Sequence, residues 1–515
     1  MIIDYFTELF LQNFAHNPTQ EQLLVVRELA GFVMNIGTGD GAGEADGVTG
    51  RRVGQMGSAF ILRGYAGTGK TSLMAALVQT MVQLERRCVL LAPTGRAAKV
   101  FSVYAGHPAF TIHRWIYRQK SMEFDSVFTM DFNSLRHTLF IVDEASMVSN
   151  DGNGVYGTGH LLDDLIQFVY SGEGCRLILL GDTAQLPPVG NADSPALQPD
   201  VLRSYGLDVG CVTLTEVVRQ RNMSGILVNA TRIRELITQC VGMQRMSSDE
   251  VCVGDDDLVV SWSDDVRNVS GNELIDSLSY SYREFGMDDT IVVCRSNKRA
   301  HVYNMGIRSQ ILDREEELTR GDIVMIAKNN YFWLTAQKDR TEVELVATDD
   351  SAPSGSMQGS FLANGDIARV LRVTNERELY GFRFADCELL LPDYDDLEIR
   401  ATVLLDTLHS EAPSLTREQS ESLYNKVMED YADIPYKRNR LKKLREDPYY
   451  NALQIKYAYA VTCHKAQGGQ WSQVYVDQGY VTPEMKNVDY LRWLYTAFTR
   501  ATDCVHLVNW KKEYD

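Results

Sequence analysis

The sequence predicts an α/β protein built on parallel sheets, and three observations carry that expectation. Six apolar runs, "AFILRGYAG", "CVLLAPTG", "TLFIVDEA", "CRLILLGDTAQ", "TIVVCRSN" and "VYVDQG", each give way to Gly, Asp or Thr. Helix-like stretches such as "TSLMAALVQTMVQLE" and "SGILVNATRIRELITQ" lie between them. Buried strands that alternate with helices pair in parallel, and the chemistry of such sheets collects at the carboxyl ends of the strands.

The chain opens with "MIIDYFTELFLQNF", whose Ile2, Ile3, Phe6, Leu9 and Phe10 stand at helical spacing. An amphipathic helix docked on the core is expected. This segment lacks a basic leader and a small-residue cleavage site, and no apolar run reaches membrane-spanning length. A soluble, cytoplasmic protein with no membrane partner is expected. Nine cysteines, an odd count with no CxxC pair, point to a reducing compartment rather than a disulfide framework or a structural zinc. With 515 residues, 44% of them hydrophobic, the chain can bury several cores without such staples. A net charge of −18 weighs against a nucleic-acid binder, although a basic groove can sit on an acidic body. Residues 37–57 are Gly-rich and read as a surface loop ahead of the first core strand.

The most specific pattern is "FILRGYAGTGKTS", which matches G-x-x-x-x-G-K-[ST] over Gly64–Thr71 between a predicted strand and a predicted helix. Glycines let the backbone curl so that the N–H groups around Gly67, Thr68 and Gly69 face phosphates, and the helix N-terminus adds positive potential. Lys70 would reach the β- and γ-phosphates and Thr71 would ligate Mg²⁺. "TLFIVDEASM" supplies Asp143 to hold Mg²⁺ through water and Glu144 as general base for the attacking water. "LILLGDTAQLPPVG" puts Gln185 where it can report on the γ-phosphate, on a loop stiffened by Pro187 and Pro188. Hydrolysis also needs positive charge in the transition state. Arg219 in "LTEVVRQ" and Arg500 in "YTAFTRA" are the candidates, although for an isolated Arg a surface salt bridge is the favoured reading.

From about residue 330 to 455 the α/β rhythm stops. Short β-like pieces ("GDIARVLRV", "GFRFADCELLL") are followed by an acidic stretch and the basic "YKRNRLKKLRED". A small β domain with a charged helical extension over 396–450 is expected, its charges either solvated or facing a partner. Further on, "YAYAVTCHKAQGGQW" sets Cys463 beside His464. Zinc is disfavoured because no second ligand pair exists. A Cys–His nucleophile is disfavoured because neighbours on a strand point to opposite faces, which leaves Cys463 as a packed thiol.

In chain order, "PTQEQ", "GYAGTGKTS", "APTGRAAKVF", "TIHRW", "IVDEASM", "GDTAQLPPVG", "LTEVVRQ", "VTCHKAQGGQW" and "YTAFTRA" form a set that resembles the motifs of superfamily 1 DNA helicases, in the RecD-like and Dda-like branch that moves 5′ to 3′. The resemblance spans about residues 19–501. It implies two RecA-like domains with ATP and Mg²⁺ as cofactors in the cleft between them. The first would be 1–220, with a hairpin insertion at 115–137. The second would be 221–330 with 456–515, and an SH3-like β domain would be inserted at 331–455. Gln22 would read the adenine edge, and Arg219 and Arg500 would be arginine fingers. Thr94, Arg96 and His113 match positions near single-stranded DNA. Thr462, His464 and Lys465 would donate to DNA phosphates. Phe124, Phe128 and Phe132 in the hairpin would either form a strand-separating wedge or pack the hairpin onto its own domain. The implied activity is that of a monomeric ATP-dependent DNA helicase acting on single-stranded DNA and on duplex with a 5′ tail, with 331–455 open to a protein partner. The alternative is a nucleic-acid-stimulated ATPase that remodels nucleoprotein complexes without processive unwinding.

Overall fold

The computed structural model describes residues 2–14, 16–34, 57–119, 128–150, 158–217, 224–244, 254, 258–330, 332–334, 362–394 and 396–510. In the first half, the strands are β1 (Gly57–Gly64), β2 (Cys88–Ala92), β3 (Ala109–Thr111), β4 (Tyr117–Gln119), β5 (Phe128–Met130), β6 (Leu139–Val142), β7 (Arg176–Gly181) and β8 (Leu207–Leu214). Six of them form one sheet, ordered β3-β2-β6-β7-β1-β8, and every pairing in it is parallel. The four residues of β6 are all buried, as expected of a strand covered on both faces. The helix Lys70–Gln83 covers one face through Leu73, Met74, Leu77 and Met81. The helix Ile2–Gln12 docks against the same core with Phe6 and Phe10 fully buried; each such side chain contributes roughly 1.5–3 kcal/mol. Asn13 then donates to Thr80 Oγ1 and Gln83 Oε1, both at 3.0 Å, fixing that helix in place.

In the second half, the strands are β9 (Val266–Val269), β10 (Thr290–Cys294), β11 (Ile323–Ile326), β12 (Ile367–Leu379), β13 (Phe382–Leu391), β14 (Leu397–Leu404), β15 (Leu453–Tyr457), β16 (Ala460–Thr462), β17 (Trp471–Asp477) and β18 (Ala501–Val508). A second all-parallel sheet runs β16-β10-β17-β18-β9. Between β10 and β16 the chain closes a five-stranded barrel from β11 to β15. The barrel thus starts before residue 331, where the sequence reading placed its boundary, and ends at Tyr457. The reason is local: "IVMI" of β11 is buried at all four positions and by itself reads like a strand of the sheet it follows. The charged extension is a pair of helices, Arg417–Asp430 and Lys437–Glu446, which set Leu423, Val427 and Leu444 against Phe382 and Phe384 of the barrel. Thr416 and Gln419 form a capping box at the start of the first.

β4 and β5 pair antiparallel, Tyr117 opposite Met130, within the span 115–137. Phe124 lies outside the described residues. Phe132, 72% exposed, does not pack the hairpin onto its domain. Among the described residues no helix is long and apolar enough to cross a membrane.

The barrel is anchored to both sheets. Toward the second, the fully buried Asp322 accepts from Arg308 (3.1 and 3.0 Å), Arg314 (2.6 Å) and the Tyr459 hydroxyl (2.7 Å). Toward the first, Asp366 presses on Gly95, where an added Cβ would lie 2.5 Å from Asp366 Oδ1, and Lys99 donates to the Pro392 carbonyl. Burial pushes the Asp366 carboxyl up to about 7, with Asp393 adding to the rise; the Tyr394 hydroxyl and the Ala363 N–H, both donating to it, pull the other way. A carboxyl raised on folding stabilises the protein below its unfolded pKa of about 4 and loses that contribution as pH rises to about 7. Asp366→Asn is therefore expected to flatten the fall in melting temperature between pH 5 and pH 8. A variant curve parallel to that of the parent would count against this account.

Candidate active site

A cleft of about 1270 Å³ lies between the two sheets. One wall is the loop that leaves β1. Gly67 (φ 78°) and Gly69 (φ 82°) adopt left-handed backbone, which lets the loop curl as a residue with a Cβ rarely can. Thr68 is fully buried and its hydroxyl donates to the Tyr65 carbonyl at 2.8 Å, so its side chain shapes the loop. Lys70 Nζ donates to the carbonyls of Gly64 (2.6 Å) and Tyr65 (2.9 Å), which holds its ammonium over the loop. Thr71 follows on the cleft wall. Gln22, 2% exposed, also lines the cleft, but both ends of its amide already serve the chain. Nε2 donates to the Thr68 carbonyl at 3.0 Å, and Oε1 accepts from the Thr19 N–H at 2.9 Å. In this arrangement Gln22 braces the phosphate loop.

Asp143 and Glu144 stand at the carboxyl end of β6. The Glu144 N–H donates to Asp143 Oδ1 at 2.8 Å. Burial, then the neighbouring Glu144, hold the Asp143 carboxyl above the usual carboxylate range, while that N–H and Lys70 draw it back. Glu144 has φ 51°, a left-handed conformation that costs a non-Gly residue roughly 1 kcal/mol or more. Gln185 is 6% exposed, and its Oε1 is buried without a hydrogen-bond partner among the described residues. A buried acceptor in that state costs roughly 1–3 kcal/mol, and here it stands on the cleft wall.

The facing wall comes from the second sheet, with Gly468, Gln470, Thr499 and Arg500. Arg500, 4% exposed, donates to the Thr496 carbonyl (3.1 Å), the Gly469 carbonyl (3.3 Å) and Thr499 Oγ1 (3.2 Å). Arg219 lies outside the described residues. The set fits a Mg²⁺-nucleotide chemically: backbone donors, an ammonium, a hydroxyl and a carboxylate on one side, a guanidinium on the other, and an unpaired amide oxygen between.

Two family models meet this geometry. An AAA domain matches residues 50–243, and a UvrD-like helicase C-terminal domain matches residues 457–508. One covers the wall with the phosphate loop and the other the wall with Arg500. Through these two matches the chain is similar to superfamily 1 helicases. The two matched segments are of the kind found in ATP-hydrolysing helicases. An uncharacterized protein of Acanthamoeba polyphaga mimivirus is 22% identical to this chain over 513 residues, 86% of this chain and 94% of that one. The ATP-dependent RecD2 DNA helicase of Deinococcus radiodurans is 29% identical over 192 residues, 37% of this chain and 24% of that one. Among solved structures, Pif1 helicase from Bacteroides in complex with ADP-AlF3 and ssDNA aligns over 96% of this chain and 92% of that one, at 14% identity and a TM-score of 0.43.

Two of the segments that the sequence resemblance assigned to DNA meet at the seam between the sheets. Thr94 Oγ1 accepts from the Ala97 N–H at 3.2 Å, capping the helix Gly95–Ala105. Gly468 (φ 74°) abuts that cap, where a Cβ would lie 3.0 Å from the Ala97 Cβ. The Arg96 guanidinium sits 4.0 Å over the Trp471 ring and donates to the Gln470 carbonyl at 3.4 Å. Arg96 is thereby committed to the seam rather than to an open DNA-facing surface, because the Trp471 ring supplies its counterpart. At Gly469 a Cβ would lie 2.5 Å from that ring, which explains the Gly pair.

His113 is half-buried, and desolvation holds its imidazole down to about 4. At neutral pH it offers a hydrogen bond and no charge. Thr462 and Lys465 line a small cavity of about 40 Å³ with His301 and Lys456. Burial lowers the pKa of Lys465 and of His464, and it brings Lys456 down to about 8 with help from the Lys465 charge. Cys463 opens a helical turn, Cys463–Ala466, and does not belong to a strand, so the opposite-faces argument does not apply. It is a packed thiol for another reason. It is 1% exposed, donates to the Trp493 carbonyl at 3.5 Å, and is pushed up to about 12 by burial.

Asp182 and Tyr495, which sequence reasoning missed, are both buried where the two sheets meet. Asp182 directly follows the last residue of β7, a position like that of Asp143 after β6, and this was the available signal.

Proposed function

We propose that the chain is an ATP-driven translocase that moves on single-stranded DNA, 5′ to 3′, and separates duplex strands. The observation that carries this reading is the cleft, with a phosphate loop on one sheet and Arg500 on the other. In this reading, residues 1–220 and 221–330 with 456–515 act as two RecA-like domains, and the barrel as an SH3-like insertion. Thr71 and Asp143 would hold Mg²⁺, and the ion would supply positive charge for the phosphate oxygens. Glu144 takes the proton of the attacking water and Gln185 orients that water. Lys70, Arg500 and Arg219 balance the charge that spreads over the transferred phosphoryl group.

Because ATP is gripped from both walls, binding draws the walls together and hydrolysis releases them. The DNA contacts lie on both units: Thr94 and His113 on the first, Thr462, His464 and Lys465 on the second. Closure changes their spacing, and alternating grip becomes movement along the strand. Contacts of this kind go to the backbone and carry no sequence information. Strand displacement on 5′-tailed and 3′-tailed duplexes, with ATP turnover measured with and without single strands, tests the reading. Stimulated turnover and displacement of the 5′-tailed substrate are expected, with affinity falling as salt rises. Turnover indifferent to single strands would overturn it.

A further inference from the structure

The Tyr495 hydroxyl makes two hydrogen bonds that join three parts of the molecule. It accepts from the Ala66 N–H of the phosphate loop at 3.0 Å and donates to Asp182 Oδ2, just beyond the end of β7, at 2.6 Å. Tyr495 itself stands on the helix Val488–Phe498 of the second sheet. Tyr495 and Asp182 are each 1% exposed, and the second oxygen of Asp182 accepts from the Ala184 N–H at 2.9 Å. The next residue, Thr496, accepts through Oγ1 from the Leu186 N–H at 2.9 Å, and Gln467 Nε2 donates to the Leu186 carbonyl at 2.9 Å. Adjacent residues of one helix therefore touch the phosphate loop and the loop that carries Gln185. Arg500 belongs to the same unit, because its guanidinium is bonded to the Thr496 carbonyl and the Thr499 hydroxyl at the end of that helix.

We propose that the Tyr495–Asp182 pair is a positioning device that ties the phosphate loop of the first sheet to the Arg500 helix of the second, so that a change at the nucleotide is passed to the second sheet through the Tyr495 hydroxyl. A buried hydroxyl held at both ends fixes two loops and a helix to within a hydrogen-bond length. Arg500 cannot move toward the phosphates without drawing on the helix turn that holds Tyr495. Burial raises the Asp182 carboxyl, while Lys70 and the Tyr495 hydroxyl favour its charged form. This inference rests on the ATP-driven translocase reading above, and adds to it the contact that couples the two sheets.

Tyr495→Phe removes the hydroxyl and keeps the ring. The variant is expected to bind a fluorescent ATP analogue about as well as the parent, and to lose about tenfold in DNA-stimulated kcat, the effect of one buried hydrogen bond to a charged group. Base pairs opened per ATP consumed should fall as well, a readout that loss of packing alone would not single out. Asp182→Asn should show the same pattern, and the double variant should lose no more than the weaker single one, since the two act as a unit. If Tyr495→Phe melts well below the parent, Asp182→Asn decides by the same measurements. Parental kcat and coupling in the folded variant, or losses that multiply in the double variant, would overturn the inference. A parent without DNA-stimulated turnover would instead overturn the translocase reading.

Discussion

Arg500→Ala is expected to lower DNA-stimulated ATP turnover by about 10³–10⁵-fold, the range lost when a transition-state guanidinium is removed from a phosphoryl-transfer site. The side chain is 4% exposed on the wall facing the phosphate loop, so its charge acts in a site largely screened from water. Its hydrogen bonds to Thr496, Gly469 and Thr499 raise a competing explanation, that truncation simply loosens the fold. Leaving those acceptors unpaired costs roughly 1–3 kcal/mol, which a melting curve registers as a shift of several degrees at most. A loss of a thousandfold in kcat cannot come from a population shift of that size in a protein that remains folded at assay temperature. Arg500→Lys separates the two further, since it keeps a positive charge but not the planar fork that meets two phosphate oxygens. It should melt close to the parent and still turn over at least tenfold more slowly. Turnover by the Ala variant within tenfold of the parent would remove Arg500 from the chemistry.

What the sequence made legible follows the range over which each signal acts. The phosphate loop, Asp143 and Glu144 were readable because strand, turn and helix are contiguous in the chain, and contiguity fixes their geometry. The parallel sheets were readable for the same reason, through strands such as β6 that are apolar at every position. The barrel boundary was missed because β11 is equally apolar, and only pairing with β12 and β15 assigns it to the barrel. Arg96 illustrates a different limit. Its motif suggests a DNA contact, yet its stacking partner, Trp471, lies 375 residues away along the chain. The bond between Tyr495 and Ala66 spans 429 residues. No local pattern announces such pairs; each side chain alone has an ordinary core or surface reading. Gln22 lies between these cases, placed on the cleft as expected but with an amide that braces Thr68.

The strained backbone of Glu144 leads to the other large effect. Glu144→Gln is expected to lower turnover by about 10²–10⁴-fold, the usual contribution of a positioned general base, with nucleotide binding and melting temperature close to the parental values. The amide has the size of the carboxylate but cannot accept the proton of the attacking water. Glu144→Gly should abolish turnover to the same degree, yet act differently on the fold. With φ 51°, Glu144 holds a conformation that glycine adopts without a Cβ penalty. The substitution relieves strain of roughly 1–3 kcal/mol, offset in part by the greater freedom of glycine in the unfolded chain, roughly 0.5–1 kcal/mol. The inactive Gly variant is thus expected to melt no lower than the active parent. That outcome would mean that the turn after β6 is kept in a costly shape for the sake of where it aims the carboxylate. A Gly variant that melts several degrees lower would mean that the Glu144 side chain supports the fold, and the general-base assignment would then rest on the Gln variant alone.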